Sequence, residues 1–72
     1  MDTLAVFRSR SDALKISRAL TKEKIACATV STPSSLKVGC GLSVVFPKTV
    51  IETVKKIILR ENAASFVGFY PR

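Results

Sequence analysis

Six short segments, with strand and helix patterns in a fixed order, constrain the fold of this chain more than any other feature of its sequence. Four are short and apolar, as β-strands are, and two repeat apolar residues at the spacing of an amphipathic helix. We expect strands at residues 3–8, 26–31, 42–46 and 66–70, and helices at residues 11–23 and 48–61. With right-handed crossovers, the order β-α-β-β-α-β predicts a ferredoxin-like α+β fold, in which both helices cover one face of a four-stranded antiparallel sheet.

The ends of these segments carry capping and turn residues. Ser11 is expected to cap the first helix, with Asp12 in its first turn, and Asn62 to mark the end of the second helix. Pro33 should stop the second strand, because proline cannot donate to a sheet ladder. Residues 32–41 would then form a long loop without structure of its own, a kind of connection that often carries function.

The length and composition indicate one small globular domain over residues 1–72. A content of 47% hydrophobic and 24% charged residues is typical of a folded protein rather than a disordered one. No apolar run approaches the ~20 residues of a membrane-spanning helix, and the start of the chain lacks the pattern of a signal peptide. We therefore expect a cytoplasmic protein with no membrane contact.

The net charge of +7 favours anionic partners, such as nucleic acid, an acidic protein or an anionic small molecule. A role in solubility alone explains the charge equally well. Nucleic-acid binding is the less favoured function, because the chain has no RNP motif and no Trp. Only Phe7, Phe69 and Tyr70 are candidates to stack on bases.

Two cysteines and the absence of histidine restrict the chemistry of the chain. The spacing of Cys27 and Cys40 fits no CxxC redox or zinc motif, and without His a zinc or haem site is not expected. We therefore predict no metal and no cofactor. Histidine is also the most common general base, so its absence favours a carrier or binding protein over a true enzyme.

Cys40 lies between two glycines, in the stretch Val38-Gly39-Cys40-Gly41. Glycine permits backbone shapes that are closed to other residues, so such a loop exposes its middle residue and lets another molecule approach. One interpretation is a presented, reactive thiol. The other is a flexible hairpin loop in which serine or alanine would serve as well.

The predicted topology gives Cys40 positively charged surroundings. The ends of the first and second strands and the start of the third share one edge of the sheet, where the first helix begins near Arg8 and Arg10. Arginines and a helix N-terminus favour the thiolate form of a cysteine. Cys27 begins its strand at the opposite edge, ~13 Å away, which is too far for a disulfide. It is expected to be a small buried or face residue.

The motif around this cysteine resembles that of the sulfur/selenium (Se/S) carrier-like family of small bacterial domains. Thr32-Pro33 and Cys40-Gly41-Leu42 match the family pattern at the right spacing. Ser34-Ser35 stand where the family has Arg-Glu, Leu36 where it has Ile, and Gly39 where it has Ser. The resemblance implies a carrier of sulfur or selenium, with donor and acceptor proteins as its partners.

The leading hypothesis is therefore a carrier whose Cys40 thiolate accepts sulfane sulfur or selenium and passes it on. Glycines would admit the active site of the donor, and cationic side chains would stabilise the anion. The residues assigned to these supporting roles are Thr32, Pro33, Lys37, Gly39 and Gly41 in the loop, and Arg8 and Arg10 beside it.

The alternative function is a non-catalytic interaction or regulatory module that uses the sheet face away from the helices. Strand alternation assigns Ala5, Phe7 and Val45 to this uncovered face, with one set of aromatic residues from the last strand. An apolar open face favours a homodimer or a protein partner. The assignment also predicts that Phe7→Asp splits a dimer and leaves the helices intact.

Overall fold

A computed structural model describes residues 1–36 and 41–72 of the chain. The strands are β1 (Thr3–Phe7), β2 (Ala28–Ser31), β3 (Leu42–Phe46) and β4 (Phe66–Pro71), the helices are α1 (Arg10–Lys22) and α2 (Ile51–Arg60), and 3-10 turns cover Ser34–Leu36 and Lys48–Val50. All neighbouring strands are antiparallel, in the order β2-β3-β1-β4. This is the strand order of a ferredoxin-like α+β domain, so the predicted fold is confirmed.

The main core lies between the sheet and the helices. Phe7 and Phe46 are its largest members, and both are fully buried. Ile16 and Leu20 of α1 and Val54 of α2 pack against them. Every ~25 Å² of apolar surface removed from water contributes about 0.6 kcal/mol, so this layer supplies most of the drive to fold.

The predicted assignment of sheet faces was wrong for Ala5 and Phe7. Both point towards the helices, because Ala5 pairs with Val44 and Phe7 pairs with Leu42, and directly paired residues share a face. Val45 does lie on the outer face, where it pairs with Leu4. The first strand is apolar at every position, so alternation alone could not tell its two faces apart. Phe7→Asp would therefore place a charge in the core rather than split a dimer.

The outer face is not uncovered. Leu4, Val6 and Val45 form a second apolar cluster there, and each is at most 2% exposed. The side chains that pack over this cluster are Val30, Leu36, Val67 and Tyr70. Leu36 belongs to the 3-10 turn inside a segment that we expected to have no structure of its own. That segment therefore covers part of the sheet.

Of the two predicted helix ends, the start of α1 was wrong and the end of α2 is confirmed. Ser9, not Ser11, is the N-cap of α1, and its hydroxyl accepts the N–H of Asp12 at 3.4 Å. Asn62 does mark the end of α2, with a φ of 55°. Lys24 has a φ of 62° in the same position after α1. Both helices close with the paired backbone bonds of a Schellman motif.

The motif after α1 also explains why β2 starts late. The N–H of Ile25 bonds to the carbonyl of Leu20 at 2.9 Å, so the backbone is still closing the helix at residue 25. The strand then runs over residues 28–31 instead of 26–31, and Cys27 precedes it. Among the described residues, the helices are too short or too polar to cross a membrane.

Candidate functional site

Three strand ends meet at one edge of the sheet. Leu42 pairs with Phe7 at the end of β1 and with Ser31 at the end of β2. Gly41 precedes Leu42 directly, so the Gly-Leu part of the Cys-Gly-Leu motif lies at this edge. We call this end of the sheet, defined by Phe7, Ser31, Gly41 and Leu42, the site edge. The predicted convergence of the three strands is thus present.

Gly41 occupies a place where no side chain fits. A Cβ at this position would collide with the carbonyl oxygen of Phe7 and would lie 3.2 Å from the hydroxyl oxygen of Thr32. The Phe7 oxygen belongs to the backbone of a central strand, so it cannot move aside as the tip of a flexible side chain could. The glycine of the motif is therefore required by packing, independently of any donor that approaches it.

Thr32 joins the two halves of the motif. Its N–H donates to the Gly41 carbonyl at 3.4 Å, and its hydroxyl lies 2.8 Å from the hydroxyl of Ser43. Ser43 is fully buried, so this bond satisfies a polar group that water does not reach. The threonine of Thr-Pro is thus hydrogen-bonded to the glycine of Cys-Gly-Leu, and the two halves of the motif lie side by side. Sequence reasoning missed Ser43, although it is the one polar residue within an apolar strand.

Pro33 sets up the turn that follows. Its carbonyl accepts the N–H of Leu36 at 3.1 Å, which closes the 3-10 turn. Leu36 then packs against the outer-face cluster. The segment that leads towards Cys40 is consequently held at Thr32 by hydrogen bonds and at Leu36 by apolar contact.

The two arginines flank the start of α1. Arg8 directly follows Phe7 at the site edge, and Arg10 is the first residue of the helix. Both side chains are exposed to solvent. The Arg8 N–H donates to the Ser65 carbonyl at 3.1 Å, and the Ser9 N–H donates to the Ser65 hydroxyl at 3.1 Å. Ser65 therefore fixes the backbone from which both arginines extend.

Asp12 completes this arrangement and places one negative charge beside it. Its carboxylate accepts the Ser65 hydroxyl at 2.6 Å and the Ser65 N–H at 3.1 Å. These bonds, the hydroxyl first, lower the pKa of Asp12 below its usual range, with Lys15 at 3.8 Å adding to the effect. An ionised carboxylate suits a helix N-terminus, but it also offsets part of the positive charge at this end. The sequence held no signal for the part played by Ser65.

Cys27 lies at the other end of β2 from the site edge. It precedes Ala28, which pairs with Val45, whereas the site edge begins where Ser31 pairs with Leu42. Its side chain is half-buried against the helix-side core, and its thiol can donate to the Ser17 carbonyl at 3.6 Å. The hydroxyls of Ser17 and Thr21 also lie 3.7–3.8 Å from its sulfur. Cys27 is a packed thiol that faces helix α1.

Three of the predicted site residues lie outside the described residues. They are Lys37, Gly39 and the carrier cysteine itself, Cys40. Their assignments stay predictions.

The aromatic residues considered for base stacking are mostly in the core. Phe7 is fully buried, and Phe69 packs in the helix-side cluster, 5.9 Å from Phe46 between ring centroids. Phe7 was therefore wrong as a stacking candidate, because its side chain faces the helices and does not reach solvent. Phe69 is half-buried on the same face, so most of its ring contacts protein rather than solvent. Tyr70 lies on the outer face, beside Leu4.

Comparison with known families gives a match over nearly the whole chain. The model of the family described as "Putative Se/S carrier protein-like" matches residues 2–71, nearly the whole chain. Neither the curated proteins nor the solved structures contain a significant match.

Proposed function

The chain belongs to the Se/S carrier protein-like family, and from that membership we propose that it carries sulfur or selenium on the thiol of Cys40. A carrier of this kind needs no substrate pocket and no cofactor, because its own side chain is the acceptor. What it needs is a nucleophilic thiol that two partner proteins can reach in turn. Cys40 has the sequence position for this role, directly before the glycine that anchors the motif.

The chemistry is a transfer between thiols without net oxidation. The Cys40 thiolate attacks the terminal sulfur of a persulfide on the donor protein, the sulfur–sulfur bond of the donor breaks, and the donor leaves as a thiolate. Cys40 then holds the sulfur as a persulfide, and an acceptor takes it by the same kind of step. Selenium would be carried in the same way, as a selenosulfide.

The structural observation that supports this proposal is the packing and hydrogen-bond network of Gly41, which holds the residue directly after Cys40. This glycine packs against the Phe7 carbonyl, and its own carbonyl accepts a hydrogen bond from the Thr32 N–H, so both ends of the motif are held by the fold. The network holds the chain on both sides of the Cys40 segment, at Thr32 and at Gly41. A reactive group is most effective when packing and hydrogen bonds fix the position of the residues that hold it. Thr32 and Gly41 are held in this way.

Positive charge at the site edge supports the choice of a thiolate. Arg8 and Arg10 extend from a backbone that Ser65 fixes, close to where Gly41 meets Phe7. Lys37, three residues before Cys40, adds a third cation in the sequence. A cation near a thiol favours its ionised form and stabilises the persulfide anion as well.

Alkylation of the two cysteines tests this environment. In single-cysteine proteins made by Cys27→Ser or Cys40→Ser, we expect iodoacetamide to react with Cys40 faster than with Cys27 near neutral pH. Arg10→Ala should slow the reaction of Cys40, whereas Arg18→Ala, which removes the same charge from the same helix further along, should not. If Cys40 reacts as free cysteine does, with a midpoint near pH ~8.5, the activated thiol is refuted.

A further inference from the structure

The two edge strands of the sheet, β2 and β4, differ in how well they are protected against pairing with another strand. The β2 edge is only four residues long, it carries Thr29 and Ser31, and Pro33 follows it closely. Short, polar edges with a nearby proline resist pairing with another strand. The β4 edge spans Phe66–Pro71 and carries no charged residue. Its proline is the last residue of the strand, so the residues before it keep their backbone N–H groups. Within the described residues no strand pairs with its outer side, so its backbone groups there are available for another strand.

An apolar groove runs beside this open edge. Ile58, Leu59, Phe66 and Phe69 line it between α2 and β4, with Lys55 at its rim. Leu59 is 80% exposed, the highest value among the large hydrophobic residues of the described chain. Leucine at such exposure, next to half-buried phenylalanines, adds to the apolar surface presented at this edge.

We propose that β4 pairs antiparallel with β4 of a second copy of this chain, so that the two sheets join across a two-fold axis. Such an axis, perpendicular to the sheet, keeps the helices of both copies on the same side. Because α2 and β4 border the same groove and paired strands lie about 4.8 Å apart, α2 of each copy comes to face α2 of the other across the joined edge. One partner thus covers both the open edge and the groove.

The chemistry of the edge selects a second copy over an anionic partner. The chain as a whole is strongly basic, yet residues 66–70 offer no cation that could attract an acidic strand. The lysine at the groove, Lys55, already has an anionic partner, since its ammonium lies 3.6 Å from the carboxylate of Glu52. Residues 66–70 are best suited to pair with another uncharged strand rich in residues that favour β-structure. The same strand in a second copy, β4, meets this description. A two-fold interface needs one patch that complements itself, and strand, groove and Leu59 together form such a patch.

The proposed dimer leaves the site edge of each copy accessible. Phe66 pairs with Phe7 near the site edge, and Pro71 pairs with Thr3 at the opposite end of the sheet. In an antiparallel pair of β4 strands, the two site edges therefore lie at opposite ends of the joined sheet. The inference is independent of the carrier role, and either can fail without the other.

Sedimentation equilibrium of the whole chain tests the association. The mass should rise from 7.8 kDa towards twice that value as the concentration rises towards ~500 μM. Added salt should strengthen the dimer, because two copies with a charge of +7 repel each other and salt screens that repulsion. A mass that stays at 7.8 kDa under both conditions overturns the proposal, and the edge would then be free for a strand of another protein.

Two further measurements locate the interface. Leu59→Glu should weaken the dimer at least about tenfold, whereas Leu14→Glu, which makes the same change in charge on α1, should not. Circular dichroism should show that both variants remain folded, since both leucines are exposed. Hydrogen exchange should slow with concentration at amides of β4 and stay unchanged in β2. A dimer in which β4 amides gain no protection, or in which both variants weaken it equally, overturns the proposed interface.

Discussion

The carbonyl oxygen of Phe7 occupies the space that a Cβ on Gly41 would need, and this close approach joins Gly41 of the Cys-Gly-Leu motif to the end of β1. Thr32 adds a hydrogen bond to the Gly41 carbonyl from the other side. Gly41 and Thr32 thus serve the fold, and we propose that the chemistry of the motif belongs to the cysteine. Variants of the glycine and the threonine should therefore change stability, and variants of the cysteine should change only transfer.

Gly41→Ala should destabilise the protein by about 1–3 kcal/mol, because the new methyl group would press on backbone that cannot move freely. Gly68→Ala is the matched control. A Cβ there would meet only the Tyr70 ring, at an ordinary 3.6 Å, so its effect should stay within about 0.5 kcal/mol. Urea unfolding measures the free energy of unfolding of both variants. If the two variants are equally stable, the close contact at Gly41 has no energetic consequence.

Thr32→Val should cost about 1–3 kcal/mol, since it keeps the shape of the side chain but leaves the buried Ser43 hydroxyl without a partner. Adding Ser43→Ala to this variant should recover part of the lost stability, because the buried hydroxyl without a hydrogen-bond partner is then removed as well. A double-mutant cycle from chemical unfolding measures the coupling. Strictly additive effects would mean that the two hydroxyls do not interact.

The sequence was sufficient for the fold and for the location of the site edge. Periodicity and turn residues placed all four strands and both helices, and connection rules then left one economical topology. It was insufficient for the face assignment of Phe7, since β1 is apolar on both sides and only its register with Val44 and Leu42 settles the question. It also could not reveal Ser65, whose role depends on bonds to Asp12, more than fifty residues away in sequence.

Lys24→Gly should stabilise the protein by about 0.5–1 kcal/mol. Lys24 ends α1 with a φ of 62°, a left-handed conformation that costs less for glycine than for a residue with a Cβ. Asn62→Gly should give a smaller gain after α2, because asparagine tolerates this conformation better than lysine does. Thermal unfolding of the two variants under the same conditions checks this order, and a destabilised Lys24→Gly protein would contradict it.

Ser65→Ala should make the protein less stable near neutral pH and reduce the difference in acid. The two bonds from Ser65 lower the pKa of Asp12, so they contribute fully above the unfolded pKa of ~3.9 and are lost as the pH falls from there through the folded pKa. Removing the hydroxyl should cost about 1.5–3 kcal/mol at pH ~7, because Asp12 loses a bond to its charged carboxylate and the Ser9 N–H loses its acceptor. The bond from the Ser65 N–H to Asp12 remains in the variant.

The carboxyl titrations seen by NMR provide an internal control for this variant. The midpoint of Asp12 should rise when the Ser65 hydroxyl is removed. The midpoint of Asp2 should not change, because the Lys48 N–H, at 2.8 Å from its carboxylate, is the main cause of its lowered pKa. An unchanged Asp12 midpoint would show that the Ser65 hydroxyl does not act on it.

Transfer of sulfur to Cys40 is the most direct test of the carrier proposal. The wild-type chain, Cys27→Ser and Cys40→Ser would each be incubated with a cysteine desulfurase and cysteine, and then analysed as intact protein and as peptides by mass spectrometry. We predict that the wild-type chain and Cys27→Ser gain one sulfur atom on the peptide that contains Cys40, that Cys40→Ser gains none, and that reduction removes the added sulfur. If Cys40 gains no sulfur, or if Cys27 gains it equally well, Cys40 is not the carrier thiol.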